Sequence, residues 1–358
     1  MAQAAVLQDA TDFLNLIDLR ASRDGANPNT YSPLVIPERI VTPGPLTLVL
    51  TPTVIPGYAP TGLWGTSNND LWAIANDPAT FTTTNFLHYD GKSWTSKLIL
   101  SNFIGVSIWG TASNNIYVVG YDSTFSIGTV YVWNGLTWSV LGGLPTNVSW
   151  VNIAGSGPND IWLAGSNSTF TTGVLYHWNG SIWTNMSLTF VPETVSAPSP
   201  TYAIVVGADS TSTNGFYITW NGTTWSSPSE VPGLGLSGVL ALSPTIVFAT
   251  PEAAGTDGIY QFNGTTWSLV AAASIAMDQL SGTPSQLWAV GGTGAGQGAV
   301  FYFTNGVWAQ LANRSDGTMF TVWSNPPGAL AGGNLWIGGI DNTQTNGILW
   351  QGTPGPSA

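Results

Sequence analysis

An all-β fold, a seven-bladed β-propeller, is predicted by three features of the sequence. A hairpin element recurs along the chain, a second turn element precedes it, and one strand-like segment near the N-terminus has no local partner. The hairpin element is an aromatic residue, then Asp or Asn, Gly, two further residues and Trp. It reads Tyr89-Asp90-Gly91-Lys92-Ser93-Trp94, Trp133-Asn134-Gly135-Leu136-Thr137-Trp138 and Trp178-Asn179-Gly180-Ser181-Ile182-Trp183. It returns at 220–225 and 262–267, shortens to Asn305-Gly306-Val307-Trp308, and ends as Trp350-Gln351-Gly352. Successive glycines are 44, 45, 42, 42, 42 and 46 residues apart, a regularity that identifies a repeat architecture. Asn-Gly or Asp-Gly between apolar residues predicts a two-residue type I′ hairpin, with φ > 0 at both central positions.

The preceding element is Gly65-Thr66-Ser67-Asn68-Asn69-Asp70-Leu71-Trp72. It recurs as Gly110-Thr111-Ala112-Ser113-Asn114-Asn115-Ile116-Tyr117 and Gly155-Ser156-Gly157-Pro158-Asn159-Asp160-Ile161-Trp162, with later copies around Trp288 and Trp336. It reads as strand, tight turn, strand. One repeat therefore holds four strands, A to D, placed in the first full unit near 62–65, 71–75, 86–90 and 94–100. Four antiparallel strands every ~40–45 residues make a propeller blade. Six units are complete, but the seventh ends after strand C. The orphan segment 46–51 (Leu-Thr-Leu-Val-Leu-Thr) resembles the D strands and precedes a Pro-rich link, so it is expected to complete blade seven and close the ring.

Composition narrows the function. Charged residues are 7% of the chain, against about 25% in average proteins, so Asn, Ser, Thr and Gly must build the polar surface. The formal net charge is −12, with six basic residues (Arg20, Arg23, Arg39, Lys92, Lys97, Arg314) that form no cluster. Nucleic-acid binding needs such a cluster, and anionic membranes favour one, so neither partner is expected. No apolar run reaches 18 residues, and no membrane insertion is expected. With no Cys there are no disulfides, thiol nucleophiles or thiolate metal sites. The first nine residues lack a basic n-region and do not read as a standard signal peptide.

The run Trp64-Gly65-Thr66-Ser67-Asn68-Asn69-Asp70-Leu71-Trp72-Ala73, followed by His88-Tyr89-Asp90-Gly91-Lys92-Ser93-Trp94, resembles the repeats of bacterial and phage surface β-propellers. Val174-Leu175-Tyr176-His177-Trp178-Asn179-Gly180 is similar to repeats of seven-bladed sugar-binding bacterial lectins. The resemblance covers roughly 46–352. Its motifs are those of the blade, so it implies architecture far more than ligand. The hairpin also looks like the Asp-box of sialidases, Ser-x-Asp-x-Gly-x-Thr-Trp, but lacks the residue before Gly and mostly carries Asn. That box is a structural turn and implies no catalysis.

No enzyme, metal site or cofactor is expected. A sialidase-like site needs several arginines, and the repeat region holds only Arg314. His88 and His177 occupy equivalent positions, which favours packing over metal binding. Asp70 and Asp160 fall in equivalent A–B turns, where Asp caps locally. Glu193, Glu230 and Glu252 have no paired acid nearby in sequence, although a ring could bring distant carboxylates together.

The recurring Trp residues of strands B and D are expected to pack blade on blade. An alternative leaves C-strand Trp133, Trp178 and Trp220 half-exposed as platforms for sugar rings. The B–C loops of the first three blades carry Phe81, Phe125 and Phe170 in Ser/Thr-rich settings. They form either an apolar patch on one rim or three separate contacts, each on its own blade.

Residues 1–45 lie outside the repeat, and 46–358 make up the propeller. In the arm, Val6, Leu7, Ala10, Phe13, Leu14 and Ile17 follow helical spacing, giving a short amphipathic helix over about 4–20 and then a Pro/Gly-broken linker. Its apolar face (Val6, Leu7, Phe13, Leu14, Ile17) is expected to dock on a partner protein, or alternatively beneath the propeller itself. Strand direction puts B–C and D–A loops on one face and both chain ends on the other. The expected function is a binding or structural module, a phage virion component (tail, fibre or capsid decoration). Its arm would join other virion or surface-assembly proteins, and its loops would meet a host surface or glycans. A soluble or cell-surface carbohydrate-binding lectin is the alternative, and a secreted glycosidase or sialidase the third reading.

Overall fold

The computed structural model describes residues 48–251, 258–284, 286–293, 296–304, 306–324 and 335–354. The arm helix, with Val6, Leu7, Phe13, Leu14 and Ile17, lies outside the described residues, as do Leu46 and Thr47 of the closing strand. Seven four-stranded antiparallel sheets are present, each with its strands in simple meander order. In blade 1 strands A to D are Ala59–Ser67, Asp70–Asn76, Thr83–Tyr89 and Trp94–Ser101. The A strands of blades 2 to 7 are Ile104–Ala112, Ser149–Gly157, Val191–Ser199, Leu236–Ser243, Met277–Thr283 and Gly317–Ser324. These seven A strands contact one another in sequence all the way round, including blade 7 against blade 1, so they line the axis of a closed ring.

Blade 7 is closed by the N-terminal strand. Leu48–Pro56 pairs antiparallel with Asn346–Pro354, in unbroken register from Leu48 opposite Pro354 to Pro56 opposite Asn346. The strand continues past Thr51, where the sequence suggests a Pro-rich link. Pro52 and Pro56 are tolerated because this is an edge strand, where a missing N–H forfeits no ladder bond on the solvent side. The described ends of the propeller emerge side by side, at the end of the sheet that carries the C–D turns.

Each C–D turn differs from the expected hairpin. In blades 1 to 5 the flanking aromatics pair directly, as in Tyr89 with Trp94 and Trp178 with Trp183, leaving a four-residue loop. Only Gly has positive φ there (91–99°), while Asp90, Asn134, Asn179, Asn221 and Asn263 do not. The side chain of the Asp or Asn does the work instead. Asp90 Oδ1 accepts the amides of Lys92 and Ser93 at 2.9 Å each, and Asn134, Asn179, Asn221 and Asn263 repeat the pattern. Blade 6, with its shortened copy, makes the two-residue connection, since Thr304 pairs with Val307. Gly91 is needed twice over, because a Cβ there would sit 2.8 Å from Asn69 in the A–B turn of the same blade. Gly135 meets Asn114 and Gly180 meets Asn159 in the same way, which explains why the two sequence elements recur together.

Between blades the recurrent aromatics interlock. Trp72 of strand B lies against Trp133 (5.1 Å) and edge-on to Trp138 (5.3 Å) of the next blade. Trp162 repeats this with Trp220 and Trp225, Trp336 with Tyr89 and Trp94 across the closure, and Phe248 with Phe303 and Trp308. At the last seam Trp288 shares a buried cluster with Trp350 and with Leu50 of the closing strand. Burying such rings contributes about 0.5–1.5 kcal/mol per pair beyond the area removed from water.

The closing strand supplies a contrast inside one segment. Leu50 is 8% exposed within the blade 6–7 cluster, while its neighbour Val49 is 44% exposed. Leu50→Ala is expected to lower unfolding free energy by about 2–4 kcal/mol, and Val49→Ala by under about 0.5 kcal/mol, in urea titrations. Similar losses for both would show that the ring does not depend on this strand.

Candidate functional site

Two regions of the propeller gather chemistry: the face carrying the B–C loops, and a cleft between blades 1 and 2. Five B–C loops are built alike, that of blade 1 being one residue longer. Asp77, Asp122, Asn167, Asp209 and Asp341 each open one, and the backbone N–H of Phe81, Phe125, Phe170, Ser212 and Gln344 respectively returns to the opening residue's carbonyl at 2.9–3.0 Å. Those five residues all have left-handed backbone, with φ of 50–59°. Flanking hydroxyls bridge each turn, as in Thr80–Thr82, Thr124–Ser126, Thr169–Thr171, Thr211–Thr213 and Thr343–Thr345. The sequence shows this as Asp or Asn followed by Thr-x-Thr or Thr-x-Ser, a repeat masked by the changing residue between the hydroxyls.

The turn acids are fixed as anions. The Thr211 hydroxyl, then the amides of Thr213 and Thr211, hold Asp209 down to about 2. Burial works against Asp341 and Asp122, but the hydrogen bonds each accepts outweigh it, leaving Asp341 at about 2 and Asp122 below its ordinary range.

A left-handed conformation costs a residue with a Cβ about 1–2 kcal/mol, and Gly or Asn is its usual occupant. Here Phe takes the position in three consecutive blades. Phe81 and Phe125 are exposed (55% and 42%) and Phe170 is half-buried. Phe125 and Phe170 meet edge to face at 6.0 Å, and Tyr121 touches both, at 5.2 and 6.3 Å. The two rings and Tyr121 thus form a ridge across blades 2 and 3, while Phe81 stands apart on blade 1. The Ser149 hydroxyl, donating to the Phe125 carbonyl, ties this loop to the next blade.

Every A strand carries a β-bulge within its first four residues, at the loop-face end. The extra residues are Thr61, Val106, Val151, Glu193, Ser237, Asp278 and Phe320. A bulge leaves its residue outside the ladder. Thr61 bonds to Asn76, Ser237 to Thr250, and Val106 and Val151 pack against the core clusters of their seams. Bulge position is a property of strand register, and no sequence signal reports it. Glu193 and Asp278 are the two charged residues among the seven. Burial, then the charge of Glu193, raises the Tyr121 phenol, so that carboxylate lies close to the ridge. Asp278 is exposed, and desolvation by the surrounding protein raises its carboxyl to about 7. Arg314, nearby in sequence to the blade 6–7 loop, is held by Asp316 in a two-point ion pair (Nε to Oδ1 2.6 Å).

The second region is a cleft of about 650 Å³ on the turn face. Asp70, His88, Lys97, Trp133, Leu136 and Trp138 form much of its wall. His88 Nε2 lies 2.8 Å from Asp70 Oδ1, and the Thr66 hydroxyl donates to Asp70 Oδ2. His177, Asp160 and Ser156 repeat the arrangement in blade 3. Burial tends to raise Asp160, but these two donors keep it below its usual range. The carboxylate sits between hydroxyl and imidazole, so the imidazole does not reach the hydroxyl to activate it as a nucleophile. His88 and His177 also lie against the faces of Trp72 and Trp162. Among the described residues no three His, Cys, Asp or Glu converge as a metal site.

Trp133, Trp178 and Trp220 are half-buried at the blade seams. Trp133 donates Nε1 to the Ser113 carbonyl and Trp220 to that of Pro200, each at 3.1 Å, while Trp178 packs on Trp183. Only Trp133 of the three lines the cleft.

No protein-family model matches the chain, and no curated protein matches it by sequence. Solved propellers match its fold. YCF48 bound to D1 peptide aligns with a TM-score of 0.60 at 16% identity, covering 89% of this chain and 98% of that one. YCF48 from Cyanidioschyzon merolae gives 0.57 at 13% identity, covering 84% and 98%. A catalytically inactive virginiamycin B lyase from Staphylococcus aureus, with quinupristin, gives 0.58 at 10%, covering 85% and 99%. At these identities the likeness is one of fold.

Asp278 gives a pH signature of opposite sign to the turn acids. Its folded value lies above its ordinary one, so between about pH 4 and 7 the folded state keeps a proton that the unfolded chain releases. Above that window ionised Asp278 destabilises the fold. Asp278→Asn is expected to leave the thermal midpoint at pH 4 unchanged and to raise it at pH 8. Equal midpoints at pH 8 would remove the raised-carboxylate account.

Proposed function

We propose that this chain is a non-catalytic recognition module that binds a partner protein on its loop face, over blades 1 to 3. The observation that carries this reading is the occupancy of the left-handed turn position by Phe81, Phe125 and Phe170. The turn does not need an aromatic ring, since Ser212 and Gln344 make it in blades 4 and 7. Burial does not compensate the strain at Phe81 and Phe125, which stay in water. Strain kept at exposed positions, in adjacent copies of one motif, is what a surface selected for contact displays. A propeller of this fold, YCF48, was solved with a peptide bound, which supports a protein segment as ligand.

In this reading the opposite face is the tether. The described chain ends meet there, and residues 1–45 would join the module to a larger assembly, such as a phage tail, fibre or capsid decoration. A non-catalytic role is supported by the geometry of the Thr66–Asp70–His88 and Ser156–Asp160–His177 groups and by the engagement of Arg314 with Asp316.

The double substitution Phe125→Ser and Phe170→Ser copies the residue that blade 4 uses. It is expected to shift the thermal midpoint by no more than a few degrees, because lost ring contacts and turn strain are of similar size. Partner affinity is expected to fall at least about tenfold by calorimetry or surface capture. Undiminished affinity in a folded double variant would reject the loop face.

A second reading follows from the cleft. Trp133 and Trp138 beside Asp70, His88 and Lys97 combine apolar platforms with oriented polar groups, as carbohydrate recognition requires. Titration with monosaccharides and oligosaccharides is then expected to change tryptophan emission at millimolar concentrations, and Trp133→Ala to abolish the change. A flat response across the sugars would discard this reading.

A further inference from the structure

We propose that the cleft between blades 1 and 2 takes a carboxylated sugar of the uronic-acid class, whose carboxylate pairs with Lys97. The inference deepens the carbohydrate reading of that cleft and rests on it. It begins with a comparison among the repeats. The D strands of blades 1, 5 and 6 (Trp94–Ser101, Trp267–Ala272 and Val307–Arg314) each bulge against strand C at one equivalent place. The extra residue is Lys97, Val270 and Leu311 respectively, in each blade the third after the D-strand Trp. Val270 is buried in the blade 5–6 cluster, and Leu311 packs against the blade 6–7 cluster. In both, the bulge gives the seam with the next blade an apolar side chain. Blade 1 places Lys97 there instead, exposed, lining the cleft with Trp133 and Trp138 of blade 2.

The seam between blades 3 and 4 separates what the fold needs from what this cleft adds. There His177, Asp160 and Ser156 repeat the group of His88, Asp70 and Thr66. Trp220 and Trp225 meet Trp162 as Trp133 and Trp138 meet Trp72. The polar trio and the paired rings are therefore blade architecture. Two features are not repeated. Strand D of blade 3 has no bulge, and its Met186 pairs with Leu175 and packs in the seam. The loop position of Leu136, which is 83% exposed, is held by Thr223. Lys97 and Leu136 are what blades 1 and 2 bring beyond the shared plan.

The chemistry of the cleft suits an acidic sugar. Among the described residues Lys97 enters no ion pair. Asp70, the acid that shares its cleft, is engaged at both oxygens, by His88 Nε2 at 2.8 Å and by the Thr66 hydroxyl at 2.5 Å. The Lys97 ammonium is thus left for a ligand, and a carboxylate gives it a charge-assisted hydrogen bond. The Trp133 ring is fixed by its Nε1 donating to the Ser113 carbonyl at 3.1 Å, and it offers an apolar platform for the C–H face of a pyranose. At physiological salt, charges more than about 8 Å apart are largely screened, so a ligand answers to the groups of the cleft rather than to the net charge of −12.

The test compares matched sugars on the full chain by saturation-transfer NMR: methyl glucuronide against methyl glucoside, and methyl galacturonide against methyl galactoside. One uronide at least is expected to bind about threefold or more tightly than its neutral partner, the size of a partly exposed charge pair. Lys97→Gln should bring that pair to equal affinity, and Lys97→Arg should keep the preference. Neither substitution should move the thermal midpoint by more than about a degree, because Lys97 is exposed. Equal affinities within both pairs, or a preference that survives Lys97→Gln, would overturn the Lys97 site and leave the carbohydrate reading of the cleft standing. Binding of none of the four sugars would remove both. Displacement of a bound uronide by acetylated tetraglutamate at equal concentration would make the ligand an acidic protein segment and overturn the sugar assignment.

Discussion

The aromatic wedge between blades is the interaction on which everything else depends. A four-stranded sheet cannot bury both its faces alone, and blades 1, 3, 5 and 7 each present an aromatic from strand B to the C and D aromatics of the next. Trp72 against Trp133 and Trp138 is the pattern, repeated by Trp162 and Trp336 with neighbouring pairs. Because each wedge joins two blades, stability is shared around the ring. It holds only if the ring closes. The pairing of Leu48–Pro56 with Asn346–Pro354 converts an open stack of sheets into a cycle and sets Leu50 into the final seam.

With the wedges supplying cohesion, the two faces are free to differ. The turn face is a repeated lock: a Gly of the C–D loop lies against an Asn of the A–B turn, and an Asx side chain caps the loop. The loop face keeps its turn geometry constant and varies what the turn displays. Phe, Ser and Gln stand at equivalent left-handed positions, and acids, hydroxyls and apolar residues stand at equivalent bulges. Two features there work against stability, exposed Phe with left-handed backbone and a carboxylate raised to about 7. Both lie on the same side of the molecule. Local cost confined to one face of an otherwise self-consistent fold is the pattern expected where binding, not folding, selects the residue.

The blade was legible because its signals are local. Alternating apolar residues, Asn-Gly turns and Trp spacing each act within a few residues, and their period counts the blades. The orphan segment near Leu48 was legible by subtraction, as the strand missing from blade seven. The hairpins depart from the type I′ turn that Asn-Gly predicts, because Asn134 and its equivalents use their side chains to accept two amides, so only Gly adopts positive φ in a four-residue loop. The loop Phe residues were visible as residues, but their shared backbone conformation was not. The Thr-x-Thr frame that reveals it in Ser212 and Gln344 also surrounds residues of unrelated character.

The sequence by itself determined the repeat, the number of blades, the closing strand and the pairing of chain ends on one face. Each follows from short-range periodicity and from the alternation of strand direction. Only the tertiary structure decided that Phe125 and Phe170 touch while Phe81 stands apart, and that Glu193 and Asp278 stand at equivalent bulges. Those two acids belong to different blades, and their shared place depends on how each A strand pairs with its neighbour. A bulge is a mismatch between two strands, so it exists in their pairing and in neither strand's sequence alone.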